Sequence, residues 1–205
     1  MIETGRGLRC RAMLLLAGLF LAAPLCAWGE PAEDRAEKRS PGIWPERVYR
    51  WYYNPQHHPA WLDAEQARAW VQAAAKQWEG CGVRMEYRGE TGRAPGAMDG
   101  VNVVGWSLDM PRQLRGITQG RARGGHLLER DIAFRPDREE FARFPHLLRK
   151  VIMHEFGHAL GLTHSARCDD VMTLAADCPR SHPSTLPAAP TANDLEHCLA
   201  LYGSD

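Results

Sequence analysis

His154-Glu155-Phe156-Gly157-His158-Ala159-Leu160-Gly161-Leu162-Thr163-His164 reads as the end of a helix that stops on a glycine and then turns back. Histidines four residues apart fall on one helix face, a turn from each other, so both imidazoles can reach one metal ion. Glu155 follows the first of them and projects beside that ion, where a base for an activated water is needed. Gly161 lets the helix end and the backbone bend sharply, which brings His164 round as a third ligand. His154, His158 and His164 supply three nitrogens and leave a fourth tetrahedral position open. That open position distinguishes a catalytic Zn2+ from a structural one. Most histidines in a chain with nine of them are surface or satisfied core residues. The fixed offsets of three histidines, one glutamate and one glycine set this group apart.

Working outward, Pro145 is placed to start the helix that carries the motif. Leu147, Val151, His154, His158 and Gly161 share one stripe, while Leu148, Ile152, Phe156 and Leu160 occupy others. A helix apolar on most sides is a buried one, which would hold the two histidines rigidly. Upstream, Val48–Tyr53, Val83–Tyr87, Val101–Trp106 and Leu127–Phe134 are rich in β-branched and aromatic residues and predict strands. Ile117–Arg123 is a weaker, polar strand suited to a sheet edge. Asp63 with Gln66 predicts a capped helix through Ala67, Val71, Ala74 and Trp78, closed by Gly80. Asp137 with Glu140 predicts the cap of a short helical turn broken by Pro145. Residues 174–193 are rich in Pro, Ala and Ser and read as an irregular loop, after which Thr191 or Asn193 caps a last helix ending near Tyr202.

The first 29 residues read as a secretory signal: Arg6, Arg9 and Arg11 precede an apolar run from Ala12 to Leu25 that is too short to span a bilayer comfortably. Ala27-Trp28-Gly29 offers a cleavage site, with Leu25-Cys26-Ala27 as the competitor, and Leu25 is too bulky for a lipidation box at Cys26. Residues 30–44 are charged and proline-containing and predict a flexible leader, which leaves 45–205 as one domain. Export, to the exterior or to a periplasm, would leave four cysteines, Cys81, Cys168, Cys178 and Cys198, with three possible pairings. We expect Cys168–Cys178, bracing the loop after the metal motif, and Cys81–Cys198, tying the first helix region to the last. The 25 basic and 25 acidic residues cancel, so no overall field draws the chain to nucleic acid or an anionic membrane. Arg112, Arg115, Arg121 and Arg123 read as a solvated local stretch, and no later segment is apolar enough to cross a membrane.

The motif resembles that of the metzincin metallopeptidases, and its surroundings resemble the matrixin branch. Met172 lies eight residues after His164, the spacing of the matrixin Met-turn methionine, and Asp194-Leu195 with Leu201-Tyr202-Gly203 is similar to the end of the last matrixin helix. The resemblance implies an α+β fold: a twisted, mostly parallel five-stranded sheet, a buried active-site helix, and a small C-terminal subdomain with Met-turn and last helix. It implies a monomeric zinc endopeptidase that acts on polypeptide through a metal-activated water, with Glu155 as general base and Met172 as an apolar floor. Ile117, Thr118, Gln119, Gly120 and Arg121 would form the edge along which substrate adds as a strand. The chain departs from the pattern in having no cysteine between the signal and Cys81, so latency by a cysteine switch is not expected. Thr173-Leu174 also replaces the residues common after the Met-turn methionine. No match to calcium loops or a second, structural zinc site is evident, although His57, His58 and His126 could hold another metal. The rival readings are a zinc hydrolase of a non-protein amide or wall-derived peptide, and a peptide-binding relative without chemistry.

Overall fold

Five strands form one sheet, and the aromatic side chains of its first strand decide which face is core. β1 (Val48–Asn54) points Tyr49, Trp51 and Tyr53 to one side, all essentially inaccessible to solvent, and turns Arg50 to the other. It is flanked by β2 (Arg84–Glu90) and β3 (Val103–Trp106), both parallel to it. β5 (His126–Phe134) continues the parallel set beside β3, and β4 (Gly116–Arg123) closes the order β2-β1-β3-β5-β4 antiparallel to β5. The polar strand expected at an edge is therefore an edge. These features come from a computed structural model, which describes residues 42–174, 178, 187 and 189–203. The signal segment, most of the leader and most of the 174–193 loop lie outside the described residues. The described residues all fall within the unit Pro31–Asp205.

Helices cover the aromatic face. α1 (Ala64–Gln77) begins at Asp63, whose carboxylate accepts from Glu65 N and Gln66 N, and buries Ala67, Val71, Ala74 and Ala75. It passes into a 3-10 turn, Trp78–Cys81, and the left-handed residue that ends it is Gly82, at φ 78°, rather than Gly80. The short α2 (Glu139–Arg143) starts after Arg138 with no side-chain cap, because Asp137, expected to cap it, is engaged by Arg135 at 2.7 and 3.1 Å. α3 (Pro145–Ala159) has its proline in the first turn as expected, and Phe156 packs edge-on against Tyr49 and Trp51. α4 (Ala192–Tyr202) is capped by Thr191, through a reciprocal box with Asp194.

Carbonyl groups of α3 are held from three directions. The Trp78 indole donates to Met153 O at 2.9 Å, the Trp44 indole to Ala159 O at 2.9 Å, and the Tyr202 hydroxyl to Leu160 O at 2.8 Å. The last two satisfy carbonyls that a helix end leaves without an intrahelical partner. Residues 42–44, read from sequence as the end of the leader, thus belong to the fold: Ile43 bridges to His126 and Trp44 is buried. The disulfides pair as expected. Cys81–Cys198 joins the 3-10 turn to α4, and Cys168–Cys178 closes the loop after the motif, with Cα separations of 5.4 and 5.6 Å. Among the described residues no helix is long and apolar enough to cross a membrane.

Candidate metal centre

His154 and His158 lie on consecutive turns of α3, with ring centroids 4.5 Å apart. The helix then ends as its glycine predicts. Gly161, at φ 96°, donates to His158 O, and Leu162 N reaches back to Gly157 O, the two bonds of a Schellman turn. A side chain at Gly161 would also come within 2.2 Å of Gly42 O, so the bend is packed as well as left-handed. Beyond it, His164 returns to stand 5.2 and 4.9 Å, ring to ring, from His154 and His158. One nitrogen from each of the three lies within 4.8 Å of the others. Among the described residues this is the one group of three or more His, Cys, Asp or Glu arranged to share an ion.

Hydrogen bonding decides which nitrogens face inward. His154 Nδ1 lies 2.8 Å from Val171 O, and His158 Nδ1 lies 2.8 Å from Leu162 O. A carbonyl only accepts, so both Nδ1 atoms carry the proton, and in the neutral rings both Nε2 atoms present lone pairs. These two Nε2 atoms are 2.9 Å apart. Two lone pairs at that distance repel unless a proton or a metal ion is shared between them, and with the third ring beside them the donor set fits a divalent metal. Burial, the neighbouring His158 and His164 rings and Lys150 push the His154 pKa well below the usual imidazole range, against the pull of Val171 O. The ring is therefore neutral, as a ligand must be.

Glu155 projects from the same helix toward the sheet. Its carboxylate Oε2 accepts from the Thr118 hydroxyl at 2.7 Å, and its Cγ and Oε1 lie against Gly116, where a Cβ would come within 2.8 Å of them. Under the opposite side of α3, Met172 Sδ sits so close to Gly157 that a Cβ there would approach it to 2.3 Å. The turn carrying Met172 is closed by Ser165 N donating to Met172 O at 2.9 Å. Its outer side is held by Asp194, whose carboxylate accepts from Val171 N, Met172 N and Thr191 N at 2.9, 3.2 and 2.8 Å.

A family model described as matrixin matches residues 44–203, which span this sheet, the three histidines and the Met172 turn. The chain belongs to the matrixin family. Membership supports metallopeptidase activity, a polypeptide substrate and zinc as the metal of the three-histidine site. No curated protein matches significantly. Among solved structures, one titled "GM1 bound form of the ECX AB5 holotoxin" is similar at 16% identity, covering 76% of this chain and 80% of that one with a TM-score of 0.45.

Other residues singled out in the sequence have different fates in this matrixin. His57 and His58 follow the C-terminal end of β1 and line a cavity of about 450 Å3 with Trp61 and Leu108. His126 opens β5, a parallel strand, and so lies at the other end of the sheet. The three do not form one site. Arg115 and Arg121 are not simply solvated: they pair with Glu140 at 3.1 Å and with the fully buried Glu129 at 2.6 Å. Gly116 was not singled out, and Thr118, expected only as part of the substrate edge, donates to the Glu155 carboxylate. Asp194 was visible only as family likeness, and Lys150, not singled out in the sequence, is buried with its ammonium 3.4 Å from Thr173 O.

Proposed function

We propose that this matrixin is an exported, zinc-dependent endopeptidase in which His154, His158 and His164 hold the metal and Glu155 is the general base. The observation that carries the reading is the pair of Nδ1–H bonds to Val171 O and Leu162 O, which turns two unprotonated nitrogens toward each other at 2.9 Å. Zinc, when bound, supplies a Lewis acid that acidifies water and polarises the scissile carbonyl. Glu155 takes a proton from the attacking water and returns it to the leaving amine, which requires a carboxylate held in place at the edge of the cleft. The exposed edge of β4, from Ile117 to Arg121, offers backbone groups to an extended peptide, and such strand addition favours polypeptide over a compact amide. Met172, packed on Gly157, gives the site an apolar floor of Met-turn type. The two disulfides are in keeping with an oxidising, extracellular or periplasmic setting.

The test is to incubate the purified, zinc-loaded chain with a diverse peptide library, with and without a chelator, and to sequence the products. Cleavage that disappears with chelator is expected. Glu155→Ala should keep its zinc and lose at least about a hundredfold in turnover, the usual contribution of a general base. Chelator-insensitive cleavage, or a Glu155→Ala variant as fast as the parent, would sink the assignment.

A further inference from the structure

We infer that Thr118 is a positioning residue that sets the Glu155 carboxylate in its working orientation. The inference rests on Glu155 being the base, as proposed above, and concerns how the fold aims it. The Thr118 hydroxyl has one proton and two acceptors within reach, Glu155 Oε2 at 2.7 Å and Glu155 O at 2.9 Å. The carboxylate is the nearer, and a bond to an ionised acceptor is the stronger. The helix ladder of α3 already uses the backbone oxygen, so the hydroxyl proton belongs to Oε2.

Gly116 completes the socket. It lies two residues before Thr118, and therefore on the same face of β4. A Cβ there would fall 2.7 Å from Glu155 Oε1, 2.8 Å from its Cγ and 2.8 Å from Val151 Cγ1. One oxygen thus accepts from a donor, and the other occupies space that only a glycine leaves open. The terminal torsion of glutamate is broad and two-fold, so the directional bond to Oε2 selects one setting of the carboxylate plane. The socket is also the firmest part of the edge strand. Gly116 and Thr118 pair with Phe134 and Ile132, both fully buried, whereas the register slips farther along, between Arg121 and Ala122. The edge that would receive the peptide therefore also aims the base.

The test compares Thr118→Val, which keeps the shape and deletes the hydroxyl, with Thr118→Ser, which keeps the hydroxyl. On a cleaved library peptide, Thr118→Val should lower kcat by about tenfold to a hundredfold, the usual effect of a misplaced reacting group. KM and zinc content should stay within about twofold, and Thr118→Ser should recover most of kcat. Unchanged kcat in Thr118→Val, a KM rise that accounts for the loss, or a serine variant as poor as valine would each overturn the inference. A second readout is independent of turnover: the 13C carboxyl resonance of Glu155 in metal-free protein should move in Thr118→Val and return in Thr118→Ser. If the parent cleaves no peptide while that signal responds, the peptidase reading fails and the positioning stands. If the parent cleaves and the valine variant changes neither kcat nor the resonance, the positioning fails and the peptidase reading stands.

Discussion

The two halves of the metal centre are held by different means. His154, His158 and Glu155 ride on α3, where the backbone ladder and a buried apolar surface fix every side chain at once. His164 and Met172 lie on irregular chain, which has no ladder of its own and is fixed piecemeal from outside. Asp194 accepts Val171 N and Met172 N, Asp170 accepts the Ser165 hydroxyl at 2.5 Å and Asn193 Nδ2 at 2.6 Å, and Cys168–Cys178 closes the loop. A helix distributes its support over many bonds, whereas a braced turn concentrates it in two carboxylates and a disulfide. The halves also meet. Val171, whose N–H is held by Asp194, gives its carbonyl to His154 Nδ1, so a brace on the turn reaches one of the three clustered histidines on the helix.

The largest break in this comparison should come from Asp194→Ala. Removing a buried carboxylate strands the N–H groups of Val171, Met172 and Thr191, each costing about 1–3 kcal/mol when left unpaired. A destabilisation of about 3–5 kcal/mol is expected, read by chemical unfolding in the presence of chelator. Because Val171 O orients His154, zinc affinity should also fall about tenfold to a hundredfold, as for other groups that orient metal ligands. Full zinc affinity in a destabilised variant would show that α3 alone positions His154.

A smaller loss should follow from opening Cys168–Cys178 by replacing both residues with serine. Its sequence separation is 10, a short loop worth about 3 kcal/mol in closure entropy, against roughly 5 kcal/mol for Cys81–Cys198 at a separation of 117. Scored by zinc affinity, the order should reverse, because the short bridge lies beside His164 and the long one ties α4 to the turn after α1. If the long bridge dominates both measures, the turn after His164 is held by Asp170 and Asp194 without the disulfide.

The helix-borne half was legible in the sequence for the same reason that it is rigid. A repeat of 3.6 residues, Pro145 at the start and Gly161 past the end are local rules, and spacing alone placed His154 and His158 together. The edge strand was legible too, since Ile117–Arg123 lacks the apolar alternation of a central strand. The braces were not. Asp194 lies 22 residues beyond Met172, and nothing in its neighbourhood says that it accepts the N–H groups of a distant turn instead of only capping its own helix. Thr118 reads only as part of the substrate edge until the fold brings Glu155 beside it. Lys150 carries no local signal of burial, and it is the Thr173 turn, whose carbonyl accepts its ammonium at 3.4 Å, that meets it in the fold.

The smallest effect sharpens what such a carboxylate brace costs. Asp131 on β5 does for the 96–103 loop what Asp194 does for the Met172 turn, accepting Gly96 N at 2.6 Å and Val103 N at 2.7 Å. Burial, with added repulsion from Glu129 and Asp99, pushes its pKa up to about 6 despite those two N–H donors. A raised pKa means that the folded chain binds this proton more tightly than the unfolded one. Stability from this group is then fully present below the ordinary carboxylate range and lost as pH rises through about 6. Asp131→Asn carries no proton to lose. Its offset from the parent at pH 4 reports the acceptor given up to an amide NH2, and the change in that offset by pH 7 reports the charge. The melting temperature of the variant relative to the parent should rise by a few degrees, on the order of 3 °C, between pH 4 and pH 7. The other titrating groups are common to both proteins and cancel in the difference. A flat offset would mean that the two backbone donors outweigh burial, and that the 96–103 loop is held by a charged brace at no cost.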